Sequence, residues 1–207
     1  MEITIIGTGN MARGIATRAL AGGATVTLVS RERAKAEALA AELSGDVRTA
    51  VSSDPLTGEI VVLAVHYGAL DDVLKTYAGQ LDGKVLIDIV NPVDFASFTP
   101  LQPEAGSSAQ EIAQKVPGAT VVKAFNTIFA TTLAKGEVAG QPLDVFIASD
   151  DADAKAAVKQ LIEDGGMRAI DAGPLARARE LEAAGYLHMA VQESLGTGFS
   201  SALKVLA

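Results

Sequence analysis

Gly7, Gly9 and Ala12, set in "IIGTGNMARGIA", follow a short apolar run at a spacing that suits a dinucleotide pyrophosphate. Gly7 permits a tight turn, Gly9 removes the Cβ that would obstruct a phosphate, and Ala12 keeps the next helix close to its strand. The amides opening that helix can then face phosphate oxygens. In an NAD site an acid about twenty residues beyond the first glycine holds the ribose hydroxyls. The stretch Thr27 to Ser30 contains no acid, and Glu32 reads more naturally as a residue of a first helical turn. Ser30 offers a hydroxyl and Arg31 a rigid fork of donors, and Arg33 or Lys35 would add positive charge at the rim. An acid would repel a 2′-phosphate and these residues attract it, so the pattern favours NADP(H) over NAD(H). Arg33 and Lys35 also fit a solvated helix face.

These residues need strands that end together and helices that begin beside them. Hydrophobic spacing predicts a strand over 2–6, a helix over 10–22, a strand over 25–30 and a helix over 32–43, a βαβα opening. Apolar runs over 60–65, 84–89, 120–124 and 143–148 continue the pattern, with weaker strands at 47–51 and 168–171. Their low polarity predicts an α/β fold: a Rossmann-like, mostly parallel sheet with helices on both faces. A long loop is expected over 91–108, where ligands of such sheets bind. A helix beginning near Pro174 suggests a boundary: residues 1–172 as the NADP-binding domain and 173–207 as a short C-terminal helical appendage, or a last part of the same domain. Leu181, Ala184, Leu187 and Val191 could form an apolar stripe there, packed on the sheet or joining two subunits.

Other candidates cluster at predicted strand ends. His66 and Tyr67 follow one strand, where His66 could cap a helix, touch cofactor or occupy the rim. Asn91 and Asn126 close two others, each as a local cap or a cofactor contact, with Pro92 fixing the chain's exit after Asn91. Ser107 and Ser108 read as helix caps. No side chain is singled out as catalytic. His66 and His188 are the two histidines and cysteine is absent, so no metal set or thiol nucleophile is expected. Seventeen basic against twenty-five acidic residues give a net charge of −8, which opposes nucleic-acid binding. No apolar run reaches membrane-spanning length and no targeting stretch is evident, so a cytoplasmic setting without membrane insertion is expected.

Taken together, "IIGTGNMARGIA", "SRERAK", "VNP", "VVKAFNT" and "DAGPLARARELE" resemble the F420-dependent NADP reductase family over nearly the whole chain. The resemblance implies a homodimeric Rossmann enzyme moving hydride between NADP(H) and the deazaflavin F420. It assigns Thr8, Gly9, Asn10 and Met11 to the diphosphate, and Ser30, Arg31 and Lys35 to the adenosine phosphate. Ala64, Val65 and His66 would form the strand-end cofactor surface, and Asn91, Pro92, Ala124 and Asn126 would frame the nicotinamide. Ala12 stands where the family often has glycine, and His66 where many relatives have proline. Few basic residues lie over 91–110 to meet an acidic F420 tail. The redox acceptor is therefore F420, or a flavin, quinone or other small molecule; a nonredox NADP-binding sensor module is the remaining reading.

Overall fold

The computed structural model describes residues 1–206. Eight strands form the central sheet: β1 (Glu2–Ile6), β2 (Thr25–Ser30), β3 (Val47–Val51), β4 (Ile60–Leu63), β5 (Val85–Asp88), β6 (Thr120–Lys123), β7 (Asp144–Ala148) and β8 (Arg168–Gly173). Their order is β8-β7-β6-β5-β4-β1-β2-β3. All pairs from β3 across to β6 are parallel, as is β7 with β8. β6 and β7 meet through an antiparallel bridge between Lys123 and Ala148.

Alternation explains why both faces are covered. Val62, Ile87 and Val122 point into one core, packed by α1 (Asn10–Ala21), α2 (Arg33–Ala40) and later α6 (Ala152–Asp164). Their neighbours Val61, Leu86 and Val121 point into the other, packed by α3 (Leu70–Thr76) and α4 (Ser108–Lys115). Successive strand residues face opposite sides, so unbroken apolar runs supply two cores at once. Each such side chain contributes about 1.5–3 kcal/mol when fully buried. A four-residue helix, α5 (Ala130–Leu133), lies against α1, where Gly14 makes room for Leu133.

Several elements are shorter than their apolar runs. β4 ends at Leu63, and Ala64 and Val65 leave it to reach a 3-10 turn at Tyr67–Ala69. α2 starts at Arg33 because Glu32 is extended, at φ −117°. The segment 91–108 holds a small ribbon pairing Val93–Asp94 with Thr99–Pro100 before the chain reaches α4. After a second 3-10 turn, Leu175–Arg177, come α7 (Ala178–Ala190) and α8 (Gln192–Leu195), the latter closed by left-handed Gly196. The buried face of α7 is Ala178, Leu181, Glu182, Gly185 and His188, while Leu187 points to solvent. The chain then returns to the β7–β8 edge, where buried Asp144 accepts from Arg168 Nε at 2.8 Å, Lys204 Nζ at 2.7 Å and the Val205 amide at 2.8 Å. Burial alone would raise this carboxyl, but those partners outweigh it and hold it at about 2.

The turn after β1 depends on two glycines for different reasons. Gly7 sits at φ +122°, and a Cβ there would lie 2.2 Å from the Ala64 carbonyl oxygen. Gly9 has ordinary extended geometry and nothing within 4 Å of a built Cβ. Gly7→Ala is therefore expected to cost about 1–3 kcal/mol in backbone strain and a further 1–3 kcal/mol or so in overlap. Gly9→Ala should cost less than about 1 kcal/mol. Urea unfolding of both variants checks the contrast, and equal losses would refute it.

Candidate active site

At the carboxyl ends of β1, β2 and β4 the sheet opens into a cleft of about 280 Å³. Gly7 and Thr8 form its floor, and Ser30, Arg31 and Lys35 its outer wall. The first turn of α1 projects toward this region with no capping side chain and no acid. Its leading amides have no partner within the helix and carry the positive end of the helix dipole. Arg31 makes no ion pair or side-chain hydrogen bond among the described residues and is exposed. Lys35 is engaged instead: its Nζ lies 2.6 Å from Glu32 Oε1. A hydrogen bond and attraction from Lys35 hold the Glu32 carboxyl below its ordinary value. Glu32 is thus neutralised by a neighbour, and its amide donates to Ser30 Oγ at 3.2 Å.

A second cleft of about 490 Å³ adjoins the first, the two meeting at Val65 and along the 7–10 turn. Gly9, Asn10 and Met11 line one side, Ala64, Val65 and His66 another, and Asn91 and Asn126 the back. His66 is exposed on the rim, its ring edge-on to Phe95 at 5.8 Å between centroids. Of the residues expected to touch cofactor, Ala12, Pro92 and Ala124 line neither cleft. All three are buried behind the walls, where they set the shape of those walls.

The two asparagines form one unit. Asn91 Nδ2 donates to the Asn126 carbonyl at 2.7 Å, and Asn126 Nδ2 donates to Asn91 Oδ1 and to the Leu181 carbonyl, both at 2.8 Å. Both amide hydrogens of Asn126 are used, yet its Oδ1 is buried without a partner. An open acceptor of that kind costs about 1–3 kcal/mol unless a ligand or solvent donates to it. A carboxamide such as that of nicotinamide carries the donor it needs. Gly185 of α7 completes the arrangement, because a Cβ there would come within 2.7 Å of Asn91 Oδ1.

Behind this wall lies a charged network that the motifs do not reveal. The Lys123 ammonium is fully buried, 2.9 Å from Asp88 Oδ2, 2.7 Å from Glu182 Oε1 and 3.0 Å from Ser108 Oγ. It also donates to the Val90 carbonyl, whose own amide donates to Asp88 Oδ1 at 2.9 Å. Both ends of the segment entering Asn91 are thereby clamped. Ser107 caps α4 as expected, but Ser108 belongs to this network: its Oγ lies 2.5 Å from Asp88 Oδ2 and 2.7 Å from Glu182 Oε1, with one hydrogen shared between them. The signal available in sequence was a charge in each of two strand-length apolar runs, "VLID" and "VVKA", since buried charges must pair. Asp88 and Lys123 are in fact register partners on β5 and β6. His188 is also buried; its Nδ1 donates to the Thr127 carbonyl at 3.1 Å, its ring lies 4.2 Å from that of Phe129, and burial lowers its pKa.

Two carboxyl groups share one ammonium, so full ionisation leaves an excess negative charge in the interior. Burial raises the Glu182 carboxyl, and attraction to Lys123 offsets this only in part. A carboxyl raised on folding contributes stability below its unfolded pKa and loses it as pH rises through the folded value. The Glu182 contribution is therefore expected to be lost from the ordinary carboxylate range upward, while His188, held low by burial, adds stability as pH rises through the ordinary imidazole range; Glu182→Gln should remove the Glu182 loss alone while keeping an acceptor oxygen. Unfolding of both proteins at pH 5 and pH 8 reads the difference; parallel slopes would show that Glu182 titrates normally.

Comparison with known proteins agrees with this geometry. The family described as NADP oxidoreductase, coenzyme F420-dependent, matches residues 2–92. The F420-dependent NADP reductase of Methanothermobacter thermautotrophicus is 32% identical over 200 residues, covering 88% of this chain and 85% of that protein. Rat metalloreductase STEAP3 is 35% identical over 187 residues, but the match spans 36% of its length, about a third. A solved structure from Arthrobacter sp. FB24, described as a candidate F420-dependent NADP reductase, superposes with a TM-score of 0.86 at 29% identity, covering 99% of both chains. The Rossmann-like, mostly parallel sheet is thus that of its relatives. The chain is an enzyme of the F420-dependent NADP reductase family, a family of NADP(H)-dependent oxidoreductases.

Proposed function

We propose that the protein transfers hydride between NADP(H) and a flat redox acceptor of the deazaflavin or flavin type. The observation that carries this reading is Arg31: an uncommitted guanidinium beside an acid-free strand end, in the cleft that begins at the glycine turn. The 7–11 turn and the α1 amides would hold the diphosphate. Ser30 and Arg31 would hold the 2′-phosphate, with Lys35 joining after release from Glu32. Asn126 Oδ1, oriented by Asn91 and Leu181, would fix the carboxamide. Bound NADPH supplies the hydride. The chain's own part is orientation and exclusion of water, with Met11, Val90 and Ile128 as apolar walls of the acceptor cleft.

F420 is the acceptor favoured by family membership. The absence of any Lys or Arg among the residues lining the second cleft favours a flavin, quinone or other small acceptor. In this reading residues 1–172 form the NADP-binding unit and 173–207 a helical region that closes the acceptor side. We place the protein in the cytoplasm as a homodimer. Leu187 and Leu195, both exposed on the C-terminal helices, support the dimer, which concentration-dependent solution mass would reveal. Among the described residues no helix is long and apolar enough to cross a membrane.

Arg31→Ala is expected to weaken NADPH about ten- to one-hundredfold relative to NADH, because a charge-assisted bond contributes about 1.5–3 kcal/mol. Ser30→Ala, which removes a neutral group, should do less. Paired titrations with both cofactors measure this, and equal losses would remove Arg31 from the site. Stereospecific deuteride transfer from labelled NADPH to F420 tests the reaction. With both ligands bound, an absence of transfer rejects F420 as acceptor.

A further inference from the structure

We propose that the acceptor is recognised through its ring alone and that the cleft provides no site for an anionic tail. This inference rests on the NADPH reading and narrows the substrate class within it. The two adjoining clefts differ sharply in charge. The first carries Arg31 and Lys35 on its wall, whereas the second is lined by neither lysine nor arginine. Lys123, the cation behind Val90, is fully buried, with four acceptors gathered round its three hydrogens, and offers nothing to a ligand.

What the second cleft does offer is flat, polarisable and apolar surface. Met11, Met189, Phe95 and Phe129 line the same cleft as Asn91 and Asn126. Phe95 stands on the turn between the two short ribbon strands and is 57% exposed, with the His66 ring edge as its aromatic neighbour. Phe95 continues the apolar lining of the cleft out to its mouth, where a flat ring can cover it. Stacking against such a ring is tolerant of ring identity and indifferent to a distant charge. The nearest acid on the ribbon, Asp94, is already engaged by Ser97 and the Ala96 amide. The geometry thus points to an uncharged tricyclic or quinonoid ring held between the nicotinamide and Phe95. Bound NADPH would supply a hydride from its nicotinamide C4, leaving NADP+; the acceptor would take it at a ring carbon or nitrogen, or a quinone at its carbonyl oxygen, with the accompanying proton drawn from water.

Riboflavin and riboflavin 5′-phosphate share a ring and differ by one phosphate, so they isolate the question. With the full chain and saturating NADPH, kcat/KM for riboflavin is expected to equal or exceed that for the phosphate ester, with a ratio unchanged by added salt. Preference for the ester by more than threefold, fading as salt rises, would overturn the proposal by revealing a cationic tail site. Phe95→Ala should raise KM for both acceptors about two- to twelvefold, the range of an aromatic pair, while leaving NADPH affinity unchanged. Phe95→Tyr should restore it, and an unaltered KM in Phe95→Ala would equally count against ring stacking. Failure of every acceptor, including a neutral quinone, while NADPH still binds would reject the oxidoreductase reading itself; turnover with a preference for charged tails would reject this inference alone.

Discussion

A single buried ammonium joins the parts of this molecule that must stay in register. Lys123 at the end of β6 meets Asp88 from β5, Ser108 from α4 and Glu182 from α7, and also holds the Val90 carbonyl. Such a group is a poor source of net stability, because desolvation of the charges offsets most of their attraction. Its value lies in what misplacement would cost. Removing one partner strands the others in a low-dielectric interior, a penalty of about 3–5 kcal/mol, so the four elements have one acceptable arrangement. Val90 is fixed by that arrangement, and Asn91 follows it directly in the chain.

The clefts beyond this network are built on opposite electrostatic principles. The first cleft combines an open helix N-terminus, a glycine turn and an unpaired guanidinium, features that suit negative charge. The second has methionine, phenylalanine and two amides. Low polarity there helps exclude water, which in turn strengthens the remaining polar contacts to a ligand. The division falls at the turn from Gly7 to Asn10, where Gly9 separates the charged half from the apolar one.

The parallel core was legible in the sequence because its strands are continuous apolar runs, and Gly7 because its turn leaves little choice of residue. The place of Ser30 and Arg31 at an acid-free strand end was also legible, since the missing acid is a local feature of that strand end. Strand ends were read too long at Val65 and Ala124, because apolar character continues past the last ladder bond, at Val65 into the cleft wall and at Ala124 into the core behind it. The charged network was not read from the motifs. Its members are distant in sequence, Asp88 and Glu182 being separated by three strands of the central sheet and three helices, and only the register of β5 on β6 brings the first pair together. Gly185 carries no signal of its own in the sequence, because its meaning depends on an asparagine ninety-four positions earlier.

That glycine explains why the C-terminal helix is part of the site's construction. α7 can approach the asparagine pair only where a side chain is missing, and at that approach its Leu181 carbonyl takes one hydrogen of the Asn126 amide. Asn91 takes the other. With both donors committed, the amide cannot flip without placing its oxygen against two acceptors, so Oδ1 keeps a fixed direction with no partner of its own. The helix thus turns a group that could face either way into a directed acceptor.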